Sequence, residues 1–149
     1  LVLVRDALRR NDWDEELCRP SVLALASREF LAEVDEFKAG QVFDNVLKNA
    51  CEAVRAKGRG RILVLVEDDH REVRVRFVDT GIGIKAEHLS QIGKPLFTTK
   101  PNGTGFGLAI SRKIMEAHGG SLRLESRNGY YTKVSLAFPK ASPREEVTR

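Results

Sequence analysis

Gln41-Val42-Phe43-Asp44-Asn45-Val46-Leu47-Lys48-Asn49-Ala50-Cys51-Glu52-Ala53-Val54-Arg55-Ala56 is the most helix-like stretch of this 149-residue chain. Val42, Phe43, Val46, Leu47, Ala50, Ala53 and Val54 recur at helical intervals and form one apolar arc. Asn45, Asn49 and Glu52, at spacings of four and three, project together from another side. Asparagine costs on the order of half a kcal/mol relative to alanine inside a helix, so two on one face suggest a use. A row of carboxamide and carboxylate oxygens suits a hard cation such as Mg²⁺, which bridges to substrate phosphates. An ordinary solvated helix face carries the same pattern. Gly58 and Gly60 end the helix.

Outward from this helix, Leu1 to about Leu17 has a mixed helical pattern that breaks at Cys18-Arg19-Pro20. Val22 to Ala26 and Phe30 to Val34 are short strand candidates joined by Ser27-Arg28-Glu29, as in a hairpin or tight connection. Downstream, Arg61 to Glu67 and Glu72 to Val78 flank Asp68-Asp69-His70-Arg71 in the layout of a hairpin. Val73, Val75 and Phe77 alternate with Arg74 and Arg76, so one face is buried and the other wet. The irregular stretch Asp79 to Gly103 carries a short helical patch around Ala86 to Ile92. Thr104 can cap a helix running to His118, which Gly119-Gly120 ends, and Ser121 to Ser126 with Tyr131 to Ala137 form a last hairpin. This order predicts an α+β fold: a two-layer α/β sandwich whose mixed, mostly antiparallel sheet carries helices on one face.

The length fits one domain, residues 1–149, with 1–20 as a connecting helix and 140–149 as a polar tail. The chain opens at Leu1 without an initiator Met, within what reads as an amphipathic helix, so a fragment is expected. No apolar run approaches the roughly 18 residues of a membrane span, which predicts no direct membrane contact by this chain. Cys18 and Cys51 form no CxxC pair, so reduced thiols and a cytoplasmic setting are expected. The net charge is +4, with 25 basic against 21 acidic residues scattered along the chain. The densest basic cluster, Arg55, Lys57, Arg59 and Arg61, lacks interleaved aromatics and reads as a solvated loop, so no nucleic acid is expected as a partner.

Two further constellations carry chemistry. Asp79-Thr80-Gly81-Ile82-Gly83-Ile84 directly follows a strand. An aspartate there can accept a hydrogen bond from an exocyclic amine such as that of adenine, and the glycines let backbone approach a flat ligand; glycine turns also occur without ligands. Gly103-Thr104-Gly105-Phe106-Gly107-Leu108 lies at a helix start, where exposed N–H groups and the positive end of the dipole suit phosphate. Its G-x-G-x-G spacing matches neither the dinucleotide fingerprint nor a P-loop.

In this order the pieces resemble the histidine-kinase branch of the family that also includes DNA gyrase, heat-shock chaperone and mismatch-repair ATPases. The resemblance covers roughly Asp35 to Phe138: Gln41 to Ala50 looks like the asparagine box, Asp79 to Ile84 the first glycine box, Pro95-Leu96-Phe97-Thr98-Thr99-Lys100 the phenylalanine box and Gly103 to Ala109 the second glycine box. It implies a left-handed βαβ-type fold holding ATP between the asparagine-box helix and a mobile lid. By resemblance, Asn49 is the Mg²⁺ ligand, Asn45 a polar contact in the metal and phosphate shell, and Asp79 the adenine reader. Gly81, Gly83 and Ile84 belong to the adenine pocket, and Gly103, Thr104, Gly105, Phe106, Gly107 and Leu108 to the phosphate turn. Phe97 anchors the lid, Thr99 or Lys100 approaches the γ-phosphate, and Glu52 matches an Asn-Ala-x-Glu-Ala subgroup.

The ATP-hydrolysing relatives carry a water-activating glutamate where this chain has Asn45, which cannot take a proton. The resemblance therefore implies phosphoryl transfer to a histidine; an ATP-hydrolysing clamp, a nucleotide-sensing module without catalysis and a serine-directed kinase of the same fold are the alternatives. His70, His88 and His118 sit in no phosphoacceptor context and read as structural or surface residues, with a cationic His118 suiting the helix dipole. The acceptor is expected on a histidine-bearing dimerisation domain of the same protein, and a response regulator receiver domain is the expected next partner.

Overall fold

The computed structural model describes residues 2–10, 20–24, 34–101 and 103–140. Along the chain these form α1 (Val2–Arg10), β1 (Pro20–Ala24), α2 (Glu36–Lys57), β2 (Ile62–Asp68), β3 (Glu72–Asp79), α3 (Ala86–Leu89), α4 (Gly107–Ala117), β4 (Ser121–Arg127) and β5 (Tyr131–Pro139). The strands make a five-stranded sheet of order β1-β2-β3-β5-β4. β1 pairs with β2 in parallel and every other pair is antiparallel, so β1, α2 and β2 form a βαβ crossover within the expected α+β architecture.

Period-two alternation decides which sheet face is dry. Ile62, Val64 and Val66 on β2, Val73, Val75 and Phe77 on β3, and Val134, Leu136 and Phe138 on β5 are buried in one core with the apolar arc of α2 and Met115 of α4. Phe43 sits between Phe77 and Phe138, at ring distances of 5.8 and 6.0 Å. The other face carries ion pairs, Arg76 with Glu67 and Lys133 with Glu125, each at 2.8 Å.

Five elements differ from expectation or are described only in part. β1 spans Pro20–Ala24 and its described partner is β2; the proposed Phe30 to Val34 strand lies outside the described residues except Val34, which is not in a strand. The first helix is described only to Arg10, and 11–17 lie outside the described residues. α2 begins at Glu36 rather than Gln41, because Asp35 caps it through the Lys38 N–H at 3.0 Å. Thr104 is not the cap of α4: Gly105, at φ +72, keeps the backbone out of the helix until Gly107, and the Thr104 hydroxyl accepts only a 3.4 Å bond from Phe106 N. The patch after Ile84 is helical from Ala86 to Leu89 only.

α4 ends as a Schellman motif, with Gly119 N bonded to Glu116 O and Gly120 N to Met115 O, both at 2.9 Å. At this exit His118 ties the two long helices together. Its Nδ1 lies 2.7 Å from Ile114 O, and its Nε2 accepts the Asp35 N–H at 3.0 Å. An acceptor at Nε2 requires the neutral ring with its proton on Nδ1, so the cationic ring expected from the dipole is not what the bonds select. His118→Ala should cost about 0.5–1.5 kcal/mol of stability, the net worth of an ordinary hydrogen bond, since the exposed Asp35 N–H then turns to water; urea denaturation of the two proteins reads it directly.

Candidate functional site

α2 acts as a ruler against which three loops are set. Near its C-terminal end, a Cβ placed on Gly81 would lie 2.5 Å from the carbonyl carbon of Ala53, and Ile82 N bonds Ala53 O at 3.1 Å. Midway, Lys100 from the 94–106 segment places its Nζ 2.6 Å from Asn49 Oδ1 and in an ion pair with Glu52. Nearer its N-terminal end, a Cβ on Gly107 would lie 2.3 Å from Asn45 Oδ1, and Asn45 Nδ2 donates to Ser111 Oγ at 3.0 Å. At 1.5 Å per residue, Ala53 and Asn45 are about 12 Å apart along the axis. The cleft thus has the Asp79 turn at one end and the first turn of α4 at the other.

Asp79 continues the buried alternation of β3, taking the phase of Val73, Val75 and Phe77, and is 4% exposed. Burial pushes its carboxyl up to about 6 from 3.8, opposed by the hydrogen bond from Gly81 N and by the Lys57 ammonium. Gly81 N, at 2.9 Å, is its donor among the described residues. Lys57 Nζ donates to Thr80 O at 2.9 Å and to Gly129 O at 3.0 Å, so the last residue of α2 pins the turn to the β4–β5 hairpin. The same hairpin holds the turn from behind through Gly129 N to Ile82 O at 2.6 Å and Ile84 N to Ser126 Oγ at 2.9 Å. A side chain on Gly83 would strike Arg127 O. Glycine at 81 and 83 therefore serves close packing against α2 and the hairpin, which sets the floor on which Asp79 stands.

Across the cleft, residues 94–101 and 103–106 pack on one another. Phe97 is half-buried with its ring 5.7 Å from that of His88 on α3, while Thr99 and Lys100 are exposed. Gly103 packs against the Thr98 hydroxyl and Gly105 against the backbone of Leu96. The first N–H groups of α4, from Gly107, Leu108 and Ala109, have no carbonyl within the helix to bind and emerge beside Asn45; Phe106 directly precedes them, 43% exposed. The cation fit is legible in the donors: Asn49 Oδ1 and Glu52 Oε2 already hold an ammonium, and both are the oxygen ligands that Mg²⁺ takes. Among the described residues no group of three His, Cys, Asp or Glu side chains makes a protein-only metal cage.

The structure carries Asn45, Asn49 and Glu52 on α2, sets the second glycine turn against Asn45 and packs the turn after Asp79 against Ala53, which is the grouping that the resemblance implied. Sequence reasoning missed Ser111, 2% exposed on α4, whose only signal was a hydroxyl on the apolar phase of Leu108 and Met115. It also read Lys57 as solvent-facing, whereas its ammonium ties two loops together.

The family described as histidine kinase-, DNA gyrase B-, and HSP90-like ATPase matches residues 34–142. Sporulation kinase E of Bacillus subtilis (strain 168) is 39% identical over 107 residues, covering 71% of this chain and 14% of that protein. Signal transduction histidine-protein kinase AtoS of Escherichia coli (strain K12) is 37% identical over 141 residues, covering 93% of this chain and 22% of that protein. This chain thus spans under a quarter of the length of either curated relative. The catalytic domain of histidine kinase ThkA superposes with a TM-score of 0.78 at 29% identity, over 95% of this chain and 94% of that one. With the sheet order, the α2 ruler and its flanking glycine turns accounted for, the chain belongs to the histidine kinase-, DNA gyrase B-, and HSP90-like ATPase family.

Proposed function

We propose that this chain binds Mg²⁺-ATP between α2 and the 94–106 lid and passes the γ-phosphoryl group to a histidine on a dimerisation domain elsewhere in its parent protein. A response regulator receiver domain would take the phosphoryl next, in the cytoplasm. Residues 1–149 would work as one catalytic unit, with 1–20 leading in from the dimerisation domain and 140–149 as a tail. The observation that carries this reading is the α2 ruler: along it a buried carboxylate, an asparagine oxygen and a helix N-terminus follow one another, an order that suits base, metal and phosphates. The histidine-kinase names of two of the similar proteins support it.

Asp79 accepts the hydrogen bond of the adenine exocyclic amine over the floor made by Gly81, Gly83 and Ile84. Asn49 would hold Mg²⁺, with Glu52 beside it, and the bound ion would neutralise charge on the phosphate oxygens. The Gly103, Thr104, Gly105 and Phe106 turn, with the N–H groups of Gly107 and Leu108, receives the phosphates. Phe97 anchors the lid through His88, while Thr99 and Lys100 can reach the terminal phosphate. Asn45 is committed to Ser111 and cannot accept a proton, so no side chain at that position activates water. A neutral imidazole needs no such base, because its ring nitrogen attacks through a free lone pair as the bond to the leaving ADP oxygen breaks. Positioning and charge neutralisation then suffice.

Mixing the chain with γ-labelled ATP and the histidine-bearing segment of its parent should give an acid-labile phosphate on that segment; steady phosphate release by the chain alone, lost on replacing Asn45, would favour a hydrolytic clamp instead. Asn49→Ala should lower transfer by at least about a hundredfold, the upper range for losing even an outer-shell metal partner.

Asp79 makes a prediction of opposite sign for stability and binding. Its folded carboxyl titrates above its unfolded value, so the neutral acid favours the folded chain, and that contribution is lost as pH rises from about 4 to about 6. The change corresponds to roughly 3 kcal/mol. Asp79→Asn should remove this slope and make the nucleotide-free chain more stable at pH 7 by urea denaturation. The same variant should bind ATP roughly ten- to a hundredfold more weakly, the worth of a hydrogen bond to a charged group. Its preference over GTP should narrow, since asparagine can also donate to the guanine carbonyl.

A further inference from the structure

Lys100 and Glu52 are the two groups at the cleft whose contacts the binding reading does not require. The Lys100 ammonium lies 2.6 Å from Asn49 Oδ1 and pairs with Glu52, bringing a lid residue 48 positions away onto α2. Asn49 Oδ1 is the atom assigned above to the metal. An ammonium and a divalent cation cannot share it, because both need the same lone pairs and repel each other at that distance.

From this we infer that Glu52 is a positioning residue for the lid: without nucleotide it docks Lys100 as an internal cation on the Mg²⁺ ligand, and arrival of the metal with its nucleotide displaces Lys100. The inference rests on the assignment of Asn49 as the metal ligand. Three observations on the lid fit such an exchange. Lys100 and Glu52 are part-exposed, so the pair is weak enough to release. The Lys100 N–H is held by the Thr98 hydroxyl at 3.1 Å and its C=O accepts the Gly103 N–H at 3.1 Å, so both backbone polar groups of Lys100 are bonded within the lid and not to α2. Asn49 and Glu52 are separated by less than one helical turn, so one ammonium spans both without unwinding α2. Displacement frees the ammonium to approach only the γ-phosphoryl end of a triphosphate, and the lid changes partner without a new residue entering the site.

The device is tested first with neither metal nor nucleotide present. Amide hydrogen exchange across residues 94–106 of the nucleotide-free chain should quicken about three- to fivefold in Glu52→Gln and in Lys100→Gln, the effect of a part-exposed ion pair. The double variant should be no faster than either single one. Unchanged exchange in both, or additive effects, would overturn the latch while leaving the Asn49 assignment untouched. The second readout is ADP affinity, chosen because ADP lacks the γ-phosphoryl group that Lys100 could touch. Without the competing ammonium, Lys100→Gln should bind Mg²⁺-ADP about three- to fivefold more tightly than the parent, with unchanged affinity for ADP in chelator. A purely structural lysine would weaken both or neither, and that result would also overturn the proposal. If Asn49→Ala left the metal dependence of ADP binding intact, the metal reading would fail instead, whatever the lid exchange showed.

Discussion

The contact on which the cleft depends is the approach of the Gly81 turn to the backbone of α2 at Ala53. With the would-be Cβ of residue 81 only 2.5 Å from a main-chain carbon, no side chain can be accommodated there without separating strand β3 from the helix. That separation would move Asp79 away from Asn49, because one is fixed to the sheet and the other to the helix. The bonds from Ile82 N to Ala53 O and from Lys57 Nζ to Thr80 O set the same distance from either side. The site is therefore rigid at its base end for reasons of backbone packing, and its functional groups inherit that rigidity.

Rigidity has an electrostatic cost at Asp79. The alternation that buries Val73, Val75 and Phe77 carries the fourth residue of the series into the same dry layer, and that residue is a carboxylate. One backbone N–H and a lysine partly offset the desolvation, and the carboxyl remains well above its ordinary range. A fold selected for stability alone would place an apolar or amide side chain here. A buried carboxylate with acceptor capacity to spare is better explained by a ligand that donates to it.

Strand alternation, the apolar arc of α2 and the glycine-terminated α4 were readable because each depends on residues close in sequence. The order and type of the elements, and the gathering of Asn45, Asn49 and Asp79, followed from those local patterns and from the family resemblance. What was not readable depends on distant partners. Ser111 bonds Asn45 across 66 positions, and nothing near Ser111 announces it. His118 looked like a dipole-capping cation until Asp35, 83 residues away, required an acceptor from its ring. Thr104 had the chemistry of a cap but not the backbone, since the left-handed Gly105 after it bends the chain away.

The two ends of the cleft are built to different tolerances. At the base end, packing leaves the Asp79 turn one arrangement. At the phosphate end the lid rests on a half-buried aromatic pair, an exposed ammonium and Leu96, which holds φ +68 while 71% exposed. A left-handed leucine costs roughly 1–3 kcal/mol, and the Leu96 backbone lies so close to Gly105, itself part of the lid, that a side chain at 105 would strike it. Strain and attachment therefore lie in one segment. On the proposed transfer to a separate protein segment such an asymmetry would serve the reaction, because the base would stay fixed while the terminal phosphate is uncovered for an incoming nucleophile.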